Sequence, residues 1–183
     1  MNYILLILLF FTAGLIRADS KPYKSKAHQI PGKIEAEHYD EGDPGKAYHD
    51  FDKKNLGADY RKATQVDIEK RPDASNGYGI GWTRKGEWLN YTVEVKESGT
   101  YTIEMPVASN KMGGLFVLEI QGKALSLPIL IPDTGGWDKL KLIKCAGVKL
   151  TEGQHVIRVV MLAQGPSGSI GDIDYFKFVK NSK

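Results

Sequence analysis

The sequence predicts an all-β domain of short antiparallel strands, and three observations carry that prediction. Apolar and polar residues alternate at a period of two over several runs. The runs are separated by clusters of Gly, Pro, Asn and Asp. No stretch holds a 3.6-residue apolar period over ten residues. Strands that each bury one face in this way belong to a sandwich or a barrel.

Each strand can be justified in turn. Leu89, Tyr91, Val93 and Val95 share one face, with Asn90, Thr92 and Glu94 on the other. After a turn at Ser98-Gly99 the pattern returns in Tyr101, Ile103, Met105 and Val107. Phe116, Leu118 and Ile120 follow, then Ile157 and Val159, then Phe176 and Phe178. The breaks are turn chemistry: Asp73-Ala74-Ser75-Asn76-Gly77, Ser109-Asn110-Lys111-Met112-Gly113-Gly114, Pro132-Asp133-Thr134-Gly135-Gly136 and Gly165-Pro166-Ser167-Gly168. Two antiparallel sheets packed face to face would enclose Ile103, Phe116, Leu118, Ile157, Val159 and Phe176.

A chain of 183 residues suits one domain, and 42% hydrophobic with 26% charged residues is ordinary for a globular protein. A formal net charge of +3 gives no basic surface of the kind that binds nucleic acid. Ile4 to Phe11 is an unbroken apolar run, extended by Thr12-Ala13-Gly14-Leu15-Ile16 and ending at Ala18-Asp19-Ser20. That is the pattern of a secretory signal, too short for a membrane span and interrupted by Arg17. The expected organisation is a signal peptide over 1–18, a short polar linker over 19–30 and one module over 31–180. The product is expected to be secreted, extracellular, free of the membrane after cleavage and monomeric. The single cysteine, Cys145, allows no internal disulfide and reads as a small buried hydrophobe.

Binding residues on such a scaffold gather in the loops. Tyr60 and Trp137 sit in glycine-containing, turn-like surroundings. A ring there offers a rigid flat face to the C–H face of a sugar, or simply caps the core. Glu35 and Glu37 are one residue apart on a strand and point the same way, and Asp172 and Asp174 repeat the spacing. Convergent carboxylates need a cation between them, either a basic side chain or calcium, unless they form a solvated face. Catalytic signatures are missing: no motif fixes a carboxylate pair, His38, His49 and His155 lack metal-ligand spacing, and there is no nucleophile elbow or phosphate loop.

Taken together, the segments resemble the family 6 carbohydrate-binding modules from about Gly32 to Val179. The resemblance is carried by Lys33-Ile34-Glu35-Ala36-Glu37-His38-Tyr39-Asp40, Tyr48-His49-Asp50, Asn55-Leu56-Gly57-Ala58-Asp59-Tyr60-Arg61 and Val66-Asp67-Ile68-Glu69. Gly81-Trp82-Thr83-Arg84-Lys85-Gly86-Glu87-Trp88-Leu89-Asn90-Tyr91-Thr92-Val93 is its most specific stretch. Pro132-Asp133-Thr134-Gly135-Gly136-Trp137 and Asp172-Ile173-Asp174-Tyr175-Phe176-Lys177-Phe178 complete it.

This resemblance implies a two-sheet antiparallel β-sandwich of jelly-roll form that binds polysaccharide or oligosaccharide without cutting it. It implies a cleft between an aromatic pair matching Tyr60 and Trp137. It also implies a polar contact at Asp172, where the family usually carries asparagine; an ionised carboxylate accepts but cannot donate there. A structural calcium is implied at Glu35, Glu37 and Asp174 with a backbone carbonyl near Asn55. Trp82 and Trp88 are expected in the core. Two other readings stay open: a small glycan-active enzyme on the same scaffold, and an extracellular structural or assembly protein.

Overall fold

The computed structural model describes residues 20–182. The expected signal peptide lies outside them. The described residues form two sheets of seven strands each. The first runs β1 (His28–Ile30), β6 (Trp88–Val95), β12 (Gly153–Ala163), β8 (Leu115–Ile120) and β10 (Ile129–Leu130), with β3 (Tyr48–His49) on β6 and β9 (Lys123–Ala124) on β8. The second runs β2 (Gly32–Glu35), β14 (Tyr175–Lys180), β7 (Gly99–Ser109), β13 (Asp172–Ile173), β5 (Tyr78–Ile80) and β4 (Ile68–Lys70), with β11 (Gly136–Leu150) also on β7. The strands pair antiparallel apart from β1, which lies parallel to β6.

The inward faces meet as the alternation predicts. Ile103, Phe116, Leu118, Ile157, Val159 and Phe176 are each at most 2% exposed. Tyr91 from one sheet meets Phe176 from the other edge to face, with ring centroids 5.6 Å apart. The Tyr91 hydroxyl, carried into the core, donates to the Ala36 carbonyl at 2.7 Å. Asn90 and Thr92, on the other side of β6, are also buried. The segment before β3 covers them: Asp40 accepts from the Thr92 amide and hydroxyl, and Asn90 donates to the Lys46 carbonyl at 2.9 Å.

Three expectations need correction. The span read as linker holds a 3-10 turn (Tyr23–Ser25) and β1, whose Ile30 is fully buried and pairs with Val95. Its exposed Lys21, Lys24 and Lys26 made it look solvated. Immediately after β1 the chain crosses to the other sheet at Gly32, where a Cβ would lie 2.4 Å from the Gln29 carbonyl oxygen; only glycine fits.

Trp88 is not core. Leu89, Tyr91, Val93 and Val95 point inward, so Trp88 takes the outer parity, and the Arg158 guanidinium stacks 3.9 Å from its ring centroid. Trp82 is not core either. It stands in the loop between β5 and β6, 52% exposed, with φ of 48°. A bulky side chain with positive φ is uncommon, and exposure adds nothing to offset it.

Candidate functional site

Ile68, Ile80 and Ile173 on β4, β5 and β13 point into the core and are fully buried. The opposite parity places Glu69, Gly79, Gly81 and Asp172 together on the other face of these strands. The two glycines leave a channel there. A Cβ on Gly79 would meet Arg71 Cδ at 3.1 Å, and one on Gly81 would meet Asp172 Oδ1 at 3.2 Å. Arg71 occupies the channel. Its Nη1 donates to Glu69 and, at 2.9 Å, to Asp172; its Nε and Nη2 clasp Asp73 at 3.0 and 2.9 Å. Nη2 also donates to the backbone carbonyl of Trp137 at 2.7 Å.

This network bonds the start of β11 at Trp137, and Gly81 packs against it. Trp82 follows Gly81 directly, and Trp137, 37% exposed, is anchored through its own carbonyl. Burial, and after it the neighbouring Glu69 carboxylate, pushes the Asp172 carboxyl well above its ordinary range, while Arg71 pulls the other way.

Tyr60 is elsewhere. Its hydroxyl is shared with Tyr23 and His38 at 2.8 Å each, and its ring stacks on Tyr78 with centroids 4.5 Å apart. Among the described residues no hydrogen bond or ring stacking joins it to Trp137. The ring was expected to be one wall of a slot, but Tyr60 instead pins the N-terminal segment. The exposed aromatic next to the Arg71 network is Trp82, which the sequence reading assigned to the core. Two signals marked it: it breaks the alternating pattern, and it sits between Gly81 and the loop residues Arg84-Lys85-Gly86.

The second expected constellation comes together only through its neighbours: Glu35 and Asp174 meet at Ser75, Glu37 bonds Asn76, and the three do not form a group with ligand atoms all within 4.8 Å of one another. Glu37 is fully buried, and its Oε2 has no hydrogen-bond partner. Its Oε1 accepts from the Asn76 amide. Asp174, 2% exposed, accepts from the Ser75 amide at 3.2 and 3.1 Å, and the Ser75 hydroxyl donates to Glu35 at 2.8 Å. Burial raises the carboxyls of both Glu37 and Asp174 above the usual range, and the other acidic groups add to the rise. An unpartnered oxygen among buried like charges is what a hard cation would complete. The Asn55 side chain ties its own loop, bonding the backbones of Gly57, Ala58, Tyr60 and Ile68, and is not itself a ligand; the expectation concerned a backbone carbonyl near it. The loop against these carboxylates is Ser75-Asn76.

A further acidic group went unread in the sequence. Asp50, Asp52 and Asp67 bring ligand atoms within 4.8 Å of one another. Arg84 pairs with Asp52, and the carboxylates hold loop amides, Leu56 on Asp67 and Asp52 on Asp50, at 2.7 Å each. Burial lifts the nearby Glu87 carboxyl to about 7 and Asp50 to about 6.

Comparison with known proteins agrees with this architecture. The family model for the carbohydrate binding module (family 6) matches residues 57–180. The chain belongs to that family. The module of Cellvibrio mixtus lichenase 5A, solved with cellotriose, superposes with a TM-score of 0.60 at 25% identity, covering 83% of this chain and 98% of that one. A β-1,3-glucan-binding module from Bacillus halodurans shares the fold with a TM-score of 0.63 at 22% identity, over 84% and 98% of the two chains. The clotting factor G alpha subunit of Tachypleus tridentatus is 33% identical over 82 residues, which is 44% of this chain and 12% of the subunit.

Proposed function

We propose that this family 6 module holds a sugar chain in a slot walled by Trp82 and Trp137. The observation that carries the reading is that two exposed tryptophans flank one buried arginine network, Trp137 bonded to it at the start of β11 and Trp82 following Gly81, which packs against it. Large rigid rings keep their binding area at small entropic cost, and the hydroxyls of a pyranose find carboxylate acceptors at the ring edges. The module binds without cutting. Carboxylates do converge here, which an enzyme would need, but Arg71 holds Glu69, Asp73 and Asp172, and Asp172 is 4% exposed. Hydrolysis requires one free carboxylic acid and one free carboxylate across a glycosidic bond.

In this reading Glu35, Glu37 and Asp174 hold a structural calcium, with the Ser75-Asn76 loop closing over it. The ion would supply charge neutralisation for buried carboxylates and no chemistry on the sugar. The protein acts as a secreted, monomeric binder of polysaccharide.

The test is a polysaccharide array with purified protein, followed by titration of a positive ligand into variants. Trp82→Ala and Trp137→Ala should each weaken binding about thirty-fold, or about 2 kcal/mol. Tyr60→Ala should keep the affinity and lower the melting temperature. Wild-type affinity in both tryptophan variants would reject the slot.

A further inference from the structure

We propose that the Arg71 network makes the slot floor acceptor-only, so that it takes neutral and 2-amino sugars and turns away uronates and sulfated sugars; this rests on the Trp82–Trp137 reading. A guanidinium has five N–H donors. All of those on Arg71 are spent inside the protein: one on Glu69, one on Asp172, two on Asp73 and one on the Trp137 carbonyl. Arg71 is 3% exposed, so its charge is enclosed as well. It therefore positions the site without touching ligand.

What faces outward is different. The Glu69 and Asp73 side chains are 21% and 29% exposed, and each offers oxygen only. Burial keeps Asp172 protonated at mildly acidic pH, so two carboxylates, Glu69 and Asp73, stand against one guanidinium and leave the floor negative by one charge. A sugar hydroxyl can donate to it, and a protonated amine can do so with charge assistance. A carboxylate or sulfate finds no free donor in the network and a field of its own sign. Asp138 and Lys139, beside Trp137, carry opposite charges and do not alter the balance. The whole chain argues the other way. Its formal charge of +3 would draw polyanions by itself, so selectivity against them would report the floor and not the surface.

The probes are cellohexaose, chitosan hexaose with the same β-1,4 backbone, C6-oxidised cellohexaose bearing uronates, and laminarihexaose as a second neutral linkage. Each is titrated calorimetrically into the full chain at pH 5.5, in low and in high salt. Chitosan hexaose should bind at least as tightly as cellohexaose, and the oxidised hexamer roughly tenfold more weakly, the gap that one like charge several ångströms away produces. High salt should narrow that gap. The double variant Glu69→Gln with Asp73→Asn should narrow it too, with melting curves reading its fold. Oxidised cellohexaose bound as tightly as its neutral parent overturns the proposal and leaves the slot standing. Failure of all four hexamers, laminarihexaose included, overturns the slot reading and the selectivity with it.

Discussion

At the residue scale, Tyr60 and Trp82 show where reading from sequence stops. Both are loop aromatics beside glycine-containing turns, and nothing local separates them. The difference is tertiary: Tyr23 and His38 take the Tyr60 hydroxyl from 37 and 22 residues away, whereas Trp82 is left 52% exposed. Glu37 makes the complementary case. Strand parity was expected to set it beside Glu35, but β2 ends at Glu35 and Glu37 stands in the turn beyond it, where its role hangs on one unpartnered buried oxygen. Binding of calcium to the native state alone must stabilise it by linkage. Chelator should therefore lower the melting temperature of the wild type and have much less effect on Glu37→Gln. An unchanged wild-type melting curve in chelator would leave the Glu35–Glu37–Asp174 group without its ion.

At the scale of elements, the long strands were legible because alternation is a property of the extended backbone, and β6, β7, β8, β12 and β14 all follow it. Short β1 was hidden, since only one of its three residues turns fully inward. Its worth is testable: Ile30→Ala should cost about 2–4 kcal/mol, as a buried Ile does, where a linker residue would cost almost nothing. A change in denaturation midpoint too small to resolve would return β1 to the linker. The loop element around Glu87 carries a pH signature. Its folded carboxyl titrates near 7, against an ordinary value of 4.5. The native state therefore holds more protons across that window, and stability falls as pH rises from 4.5 to 7, by at most about 3 kcal/mol. Glu87→Gln should flatten this part of the stability profile, measured by urea denaturation across the window. A slope identical to wild type would mean that Glu87 ionises normally.

At the scale of the whole molecule, two sheets supply a core in which Tyr91, Phe116, Phe176 and Phe178 are nearly inaccessible, and the proposed slot lies between the β5–β6 loop and the start of β11. The sandwich could be read from the strands because many residues repeat one simple rule. The slot could not, because Arg71, Glu69, Asp172 and Trp137 meet only when β4, β5, β13 and the start of β11 are brought together. The central claim is that the sugar lies between Trp82 and Trp137. The chain has three tryptophans, so an amide-correlation NMR spectrum shows three indole signals. Titration with an oligosaccharide drawn from the array should shift the indoles of Trp82 and Trp137 together, saturating with one dissociation constant, and leave Trp88 in place. A shift of the Trp88 indole alone would put the ligand on the outer face of β6 and contradict the account.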